Sequence, residues 1–460
     1  MSRKRKTKTL TEPIRPLIND RAAGVDIGAR EIYAAVSPDL DAKPVRCFNT
    51  FTDELKTLVA WFQSLGISTV AMEATSVYWI PLAELLEQAK ITVCLVNPQH
   101  VKNVPGRKTD VQDCQWIQYL HAVGLLSAAF RPAASVRAIR SLWRHRESLV
   151  RQSAWHTQHV HKALDQMNIQ IHHVIADITG KSGEAIVKAI LKGERDPKAL
   201  AALGDERLKA SKQTLAAALT GDWRDEHLFC LKQAHEGYEF TLKQIAEVDA
   251  QLEQLHRALT PAPAVATPAQ EADAKDKPKR KPKTRCGCPV TYDAAGLLKA
   301  HLGVDLTLIP AINVNTAQTL YAELGADLSA FPSGKHFASW LGLNPNNKIT
   351  GGKIMSAHTK PFANRVKQAL RMAAQGLHHA DNEMGEYYRR MRAKLGGASA
   401  VTAVAHRLAR IIYAVITTKR EYDGRLHRMT AARRAARTLE ELKRRAKKLG
   451  FELTAMQQPA

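Results

Sequence analysis

Arg21-Ala22-Ala23-Gly24-Val25-Asp26-Ile27-Gly28 is the stretch that decides the fold. The apolar run Ala22 to Val25 has strand character, and an aspartate followed by a glycine turn ends it. A carboxylate at a strand end leaves the sheet from a fixed, rigid position. A second run, Thr69-Val70-Ala71-Met72, ends the same way in Glu73. Further on, Lys108-Thr109-Asp110-Val111-Gln112-Asp113 opens a stretch that reads as helical to about Leu120. The three-residue spacing there puts the carboxylates of Asp110 and Asp113 on one face of one turn. Taken singly, each acid is most simply a cap or a solvated residue. Four acids gathered together repel one another unless a cation sits between them.

That requirement points to a chemistry. Hard divalent cations, Mg²⁺ above all, prefer carboxylate oxygens and leave positions open for water and substrate phosphates. Two such ions about 4 Å apart stabilise the attacking and the leaving oxygen of an in-line phosphoryl displacement. The quartet Asp26, Glu73, Asp110 and Asp113 is therefore expected to be a metal-dependent site acting on nucleic-acid phosphodiesters.

Around these acids the pattern is α/β. Gly24 to Ile27, Ile32 to Val36 and Val45 to Phe48 read as successive strands, with turn signals at Gly28 and Pro38-Asp39. A helix is expected over Asp53 to Leu65, with Leu55, Leu58, Val59 and Phe62 on one face and Thr50 or Thr52 as its cap. Strand Thr69 to Met72, helix Pro81 to Gln88, strand Thr92 to Val96 and the acidic helix follow. The order β-β-β-α-β-α-β-α is similar to the ribonuclease-H-like layout. Sugar kinases and actin-like ATPases also open on an Asp-x-Gly turn, but they need a second Gly-rich phosphate loop that this sequence does not show.

The composition agrees with a polyanionic partner. Over 460 residues, 67 basic against 44 acidic side chains give a net charge of +23, and Lys and Arg held at phosphates release condensed counterions. The six cysteines are scattered, which fits a reducing cytosol better than a disulfide framework. Neither a membrane span nor a signal peptide is expected, because no apolar run reaches 18 residues and the basic N-terminus has no apolar core behind it.

The expected organisation is a basic flexible arm (1–20), the acid-bearing domain (21–130), a helical and coiled-coil region (131–260), a basic Pro-rich linker (261–287), a mostly helical second domain (288–425) and a basic tail (426–460). Ser135 to Met167 reads as a basic, His-rich helix carrying Arg137, Arg140, Arg144, Arg146 and Arg151 toward phosphate. Ile245, Val248, Leu252, Leu255 and Leu259 recur at heptad spacing, read either as an amphipathic helix on its own core or, preferred here, as a coiled coil between subunits. Ile309 to Asn313 resembles the hairpin of a helix-hairpin-helix. Beyond it lie Gly342-Leu343-Asn344-Pro345 and Thr350-Gly351-Gly352-Lys353, and then a helix from Ala363 to Leu377 with Arg365, Lys367 and Arg371.

With these residues in place the chain resembles the DEDD-type insertion-sequence transposases, also described as bridge-RNA-guided recombinases. The resemblance covers Gly24 to about Leu126 and Leu306 to about Thr418, in the family's order. The four acids fall on those that give the type its name, and Gly342 to Pro345 and Thr350 to Gly352 fall on its C-terminal signature. It implies a Holliday-junction-resolvase-like (RuvC-like) domain binding Mg²⁺, a coiled coil used in assembly of a dimer or tetramer, and a C-terminal transposase domain. It implies cytoplasmic action on DNA with a structured noncoding guide RNA and no membrane. It also implies a serine just before Gly-Gly that attacks DNA and holds it covalently. Here that position is Thr350, whose hydroxyl can do the same chemistry with a methyl that crowds the phosphate; Ser356 is the alternative nucleophile. Arg107, Lys108, Lys353, Arg365 and Arg371 are the expected phosphate contacts. A water-using nuclease of the same fold and a catalytically inactive nucleic-acid-binding relic are the competing readings.

Overall fold

The structure, a computed structural model, describes residues 16–74, 76–96, 109–259, 288–359, 364–424, 436 and 439–452. It divides into two compact units, Met1–Arg131 and Pro132–Ala460.

In the first unit β1 (Ala22–Ile27), β2 (Glu31–Ala35), β3 (Val45–Asn49), β4 (Thr69–Glu73) and β5 (Thr92–Val96) form one sheet in the order β3-β2-β1-β4-β5. The first three strands run antiparallel, whereas β1, β4 and β5 run parallel. Parallel neighbours need a crossover. Helix α1 (Thr52–Ser64) supplies the one into β4 and α2 (Trp79–Gln88) the one into β5, and α3 (Asp110–Ala122) follows. This mixed sheet fits the ribonuclease-H-like layout. Alternation along β1 sends Ala23, Val25 and Ile27 into a core with Leu55, Leu58, Phe62, Leu82 and Leu86.

The other face of the sheet is built from small residues, and α3 lies on it through Ile117, which packs with Ala71, Cys94 and Val96. The closest approach is at Gly24. A Cβ there would stand 2.2 Å from the backbone nitrogen of Gln118 and 2.5 Å from the carbonyl oxygen of Cys114. Only glycine admits a helix backbone that near. The C-terminal end of α3 is held too: the amides of Ile18 and Asn19 donate to the carbonyl of Ala122 at 2.8 and 3.0 Å, so the last residues of the expected arm are anchored. The expected threonine cap of α1 does not form. Phe51 occupies the cap position without a side-chain bond, because Thr50 is turned to the β1–β2 connection, its hydroxyl donating to Ala29 at 3.4 Å.

In the second unit the long helix α4 (Ala134–Gln166) pairs with α8 (Asp225–Leu259). Between them α5 (Lys181–Leu191), α6 (Pro197–Ala202) and α7 (Lys212–Ala218) close over a core of Ile186, Val187, Ile190, Leu200 and Leu215. The expected heptad stripe is used inside the chain. Ile245 and Leu252 are buried, Val248 and Leu255 only half so, and Asp249 and His256 lie wholly buried on the same stripe. A coiled coil between subunits is thus not what covers it. Asp249 meets Arg146 at 2.5 Å and accepts from the amide of Thr291 at 3.1 Å. Arg146 also donates to the carbonyls of Cys288 and Pro289. It is therefore a buried tie, not part of a phosphate-facing surface, and Arg140 and Arg144 are likewise engaged, with Glu323 at 3.0 and 2.7 Å.

The chain continues as α9 (Ala294–Leu302), α10 (Val314–Leu324), α11 (Gly334–Trp340), a hairpin of β6 (Lys348–Thr350) and β7 (Lys353–Ser356), α12 (Arg365–Gly376), α13 (Glu383–Leu395) and α14 (Gly397–Thr418). Helix α14 is long and apolar enough to cross a membrane by length and composition, but Ala400, Val404, Leu408, Ile412 and Ile416 are buried inside this unit, as in the core helix of a folded domain. In the turn before α10, Ala311 has a φ of +69°. The linker 261–287 lies outside the described residues.

Two outcomes follow from the backbone. Gly24→Val forces α3 off the sheet and is expected to destabilise the first unit by about 3 kcal/mol or more, read by denaturant unfolding. Ala311→Gly relieves a left-handed alanine and is expected to stabilise the second unit by ~0.5 kcal/mol after the entropic cost of glycine, read as a higher denaturant midpoint.

Candidate functional site

The parallel register pairs Val25 with Met72, and continuing it by one residue brings Asp26 alongside Glu73, the last residue of β4. Helix α3 crosses the same face of β1 as Gly24, with Cys114 directly over the glycine. Asp113 is the residue just before Cys114, and Asp110 lies one turn nearer the N-terminus. Thr109 caps that end, accepting from the amide of Gln112. Acids in a first turn are also favoured by the positive end of the helix dipole.

The electrostatics bind the four together. The Asp26 carboxyl is pushed up to about 6, first by burial and then by the negative charges of Asp110, Asp113 and Glu73. Cys114, wholly buried beside it, is pushed up to about 12 by burial and by Asp26, so it stays a neutral thiol. An open cavity of about 430 Å³ faces this point, lined by Asp26, Gly28, Arg30, Glu31, Tyr33 and Asp110 among others. Tyr33 stands opposite Asp26 across β1 and β2, and its hydroxyl donates to Glu31 at 3.2 Å. Sequence reasoning missed Arg30, Glu31, Tyr33 and Cys114. The signal for Glu31 and Tyr33 was there: once the hairpin register is fixed, alternate residues of β2 share the face of Asp26.

The acids are neighbours in the field of one another. Among the described residues, however, no three His, Cys, Asp or Glu side chains are gathered closely enough to hold a metal as they stand. Asp110 is exposed, while Asp26, Glu73 and Asp113 are half-buried. Such an arrangement fits Mg²⁺, which takes one or two carboxylates together with waters and substrate phosphates rather than an all-protein cage. The donor set is oxygen only, and the raised Asp26 carboxyl is the response that a cation would reverse.

The hydroxyl expected to act as nucleophile is in the second unit. Thr350 ends β6, and Gly351 and Gly352, with φ of +55° and +76°, turn the chain into β7. Two successive positive φ values are those of the tight hairpin turn that favours glycine at both positions. Thr350 and its partner Lys353 are both exposed. Pro345 bridges to Thr359, and the amide of Asn346 donates to His358, so the Gly342 to Pro345 signature leads into the base of this hairpin. Ser356 is half-buried at the end of β7, its hydroxyl accepting from the His358 amide at 3.4 Å. Among the expected phosphate contacts, Arg371 lines a separate cavity. Arg365 is ion-paired with Glu147 and lies 3.9 Å from Glu323, which ties α12 to α4 and α10. Arg107 and Lys108 lie outside the described residues.

The state of Asp26 sets a pH signature. Its folded carboxyl holds a proton more tightly than the usual value of 3.8, so stability present at low pH is lost as pH rises from about 4 through 6. Asp26→Asn removes that loss. In EDTA at pH 7.5 the variant is expected to be more stable than wild type by about 1–2 kcal/mol, discounted for partial exposure; the gain should vanish near pH 4. Addition of MgCl₂ should stabilise wild type and leave the variant unmoved, as read by thermal melting.

Comparison with known proteins bears on both halves of this picture. Residues 23–169 match the model of the DEDD transposases of the IS110 type, described as "Transposase", and residues 305–389 match the "Transposase IS116/IS110/IS902 family". A relative from Streptomyces coelicolor, "Insertion element IS110 uncharacterized 43.6 kDa protein", is 32% identical over 133 residues, which are 28% of this chain and 33% of that protein. The likeness thus spans about a third of the length of that relative. The two matched regions contain the four acids and Thr350 in the same chain, and on this basis the chain belongs to the IS110-type DEDD transposase family.

Proposed function

We propose that this protein is a DNA transposase that cleaves and rejoins strands for the movement of an insertion sequence. In this reading Asp26, Glu73, Asp110 and Asp113 hold Mg²⁺, Thr350 is the nucleophile, and a structured noncoding RNA selects the DNA. The observation that carries it is the crowding of carboxylates about Asp26, which raises the charge cost of the metal-free state. When bound, magnesium supplies neutralisation of the charge that builds on the phosphate oxygens. Asp26 and Glu73 offer their oxygens from strand ends that cannot shift, and the buried neutral Cys114 keeps further negative charge from the site.

At the hairpin the Thr350 oxygen forms a bond to phosphorus as the bond to the DNA 3′ oxygen breaks. The hydroxyl proton is lost to solvent and the departing oxygen gains one. A phosphodiester replaces a phosphodiester, so the link keeps its energy until a 3′ hydroxyl of another strand attacks in reverse and frees Thr350. The surroundings suit this. Among the described residues, nothing stands within 4 Å of where side chains on Gly351 or Gly352 would begin, which leaves room for a polynucleotide backbone against the turn. Exposed Lys353 lies across the ladder from Thr350 as a point charge for phosphate, while Arg365 orients α12. The protein works as a homo-oligomer in the cytoplasm.

A water-using nuclease is the second reading, favoured by the first unit carrying its acids and cavity within itself. One experiment separates them. Incubation with cognate element DNA and Mg²⁺, then denaturation, should trap a covalent protein–DNA adduct for wild type and Thr350→Ser, and none for Thr350→Ala or Asp26→Asn. An adduct at full level in Thr350→Ala removes the assigned role, and cleavage without an adduct in any form selects the nuclease.

A further inference from the structure

A second concentration of like charge lies in the Pro132–Ala460 unit, and it is positive. Between α12, α13 and the start of α14 is a cavity of about 730 Å³ lined by Arg371, His378, His379, Tyr388 and Arg392 together with Gln368, Gln375 and Gly397. No acid is among its described lining residues. Its charged groups are wired to one another. Arg392 has only donors, so the hydrogen bond that it makes to Nε2 of His378 leaves that nitrogen as acceptor. The ring proton is then on Nδ1, which lies 3.0 Å from Nε2 of His379. Arg389 donates to the carbonyls of His378 and Ala380 at 3.5 and 2.9 Å. His378 is held below its usual range by burial and by the positive charges of His379, Arg392 and Arg389.

The charged groups whose fields reach His378 are all basic. Helix α12 contributes Arg371, α13 contributes Arg389 and Arg392 with the ring of Tyr388 5.6 Å away, and α14 brings Gly397, Ala398 and Val401, which carry no charge. Helix α14 also begins at this wall, with Gly397 and Ala398 in the lining and no side-chain cap on its first turn. A wide cavity lined by two guanidiniums and two histidines, with no acid among its described lining residues, is stabilised by an anion.

We propose that this cavity is a phosphodiester-holding site, gripped by Arg371 and Arg392, in which His378 takes up one proton as the phosphate enters. The entering phosphate draws the Arg392 guanidinium from His378 Nε2 onto its own oxygens. The freed nitrogen then accepts a proton from solvent, and the new imidazolium faces the anion. The source of the phosphate rests on the nucleic-acid reading of the protein, and it is the backbone of DNA or of RNA.

The test uses the full chain and a DNA and an RNA duplex of equal length, by fluorescence anisotropy from pH 8 to pH 6 and by calorimetry in two buffers of different ionisation heat. Wild type should bind ~5-fold more tightly at pH 6 than at pH 8 and take up a proton. His378→Gln should keep the pH 8 affinity within ~2-fold and lose the uptake. Arg371→Gln with Arg392→Gln should weaken binding ~10-fold or more and flatten the salt dependence, with an unchanged circular-dichroism spectrum and melting midpoint as the control for folding. Weakening on one duplex alone names the source. Unchanged affinity in the arginine variants, or unchanged uptake in His378→Gln, overturns the site while leaving the transposase reading intact. Wild type that binds neither duplex overturns that reading instead, and inorganic phosphate that then causes no proton uptake overturns the cavity as well.

Discussion

The first unit depends on the missing side chain of Gly24. Helices usually rest on sheets through layers of side chains, but here the α3 backbone touches the strand itself, with its atoms where a Cβ would be. Ala71 and Cys94, small residues on the same face, extend the shallow seat, and Ile117 fills it. This contact sets the height and direction of α3, and through it the location of Asp110 and Asp113 relative to strand ends that are already fixed by the sheet. Two of the four acids are therefore placed by ladder hydrogen bonds and two by one glycine.

Charge is handled in opposite ways in the two units. Arg146 and Asp249 are both buried, but the pair is closed by two protein carbonyls and by Thr291, so its charges and donors are largely answered within the fold. Asp26 is met by further negative charge, and its carboxyl rises in response. A protein that can satisfy a buried ion so fully elsewhere leaves this one in debt to something outside the chain. Around His378, with the sign reversed, Arg371, Arg392 and His379 likewise meet no acid in the lining of their cavity.

The strands and helices of the first unit were legible because their signals are local: short β-branched runs, glycine turns and one amphipathic period. The acids were legible because a carboxylate closing an apolar run stands out in sequence. What escaped reading depends on register and on distant partners. Glu31 and Tyr33 join the site only once β2 pairs with β1. The heptad of α8 looked apolar, yet the stripe that is buried passes through Asp249 and His256, whose partners lie 103 and 62 residues away. Arg365, basic and on a helix, looked like a phosphate contact, and no local signal announced Glu147 and Glu323 as its neighbours.

The hairpin gives a physical account of threonine in the place of serine. Thr350 is the last residue of a strand, where a β-branched side chain is favoured and its first torsion is restricted. Serine would leave its hydroxyl freer to rotate and would fit the strand less well. The methyl of threonine therefore pre-orients the oxygen, at the cost of bulk beside an incoming phosphate. In the proposed reaction that cost is offset by the two glycines that follow, which have no described residue within 4 Å of where their side chains would begin. The left-handed backbone of the glycines makes the tight turn possible, and in the proposed reaction their lack of side chains leaves room beside the stiffer alcohol.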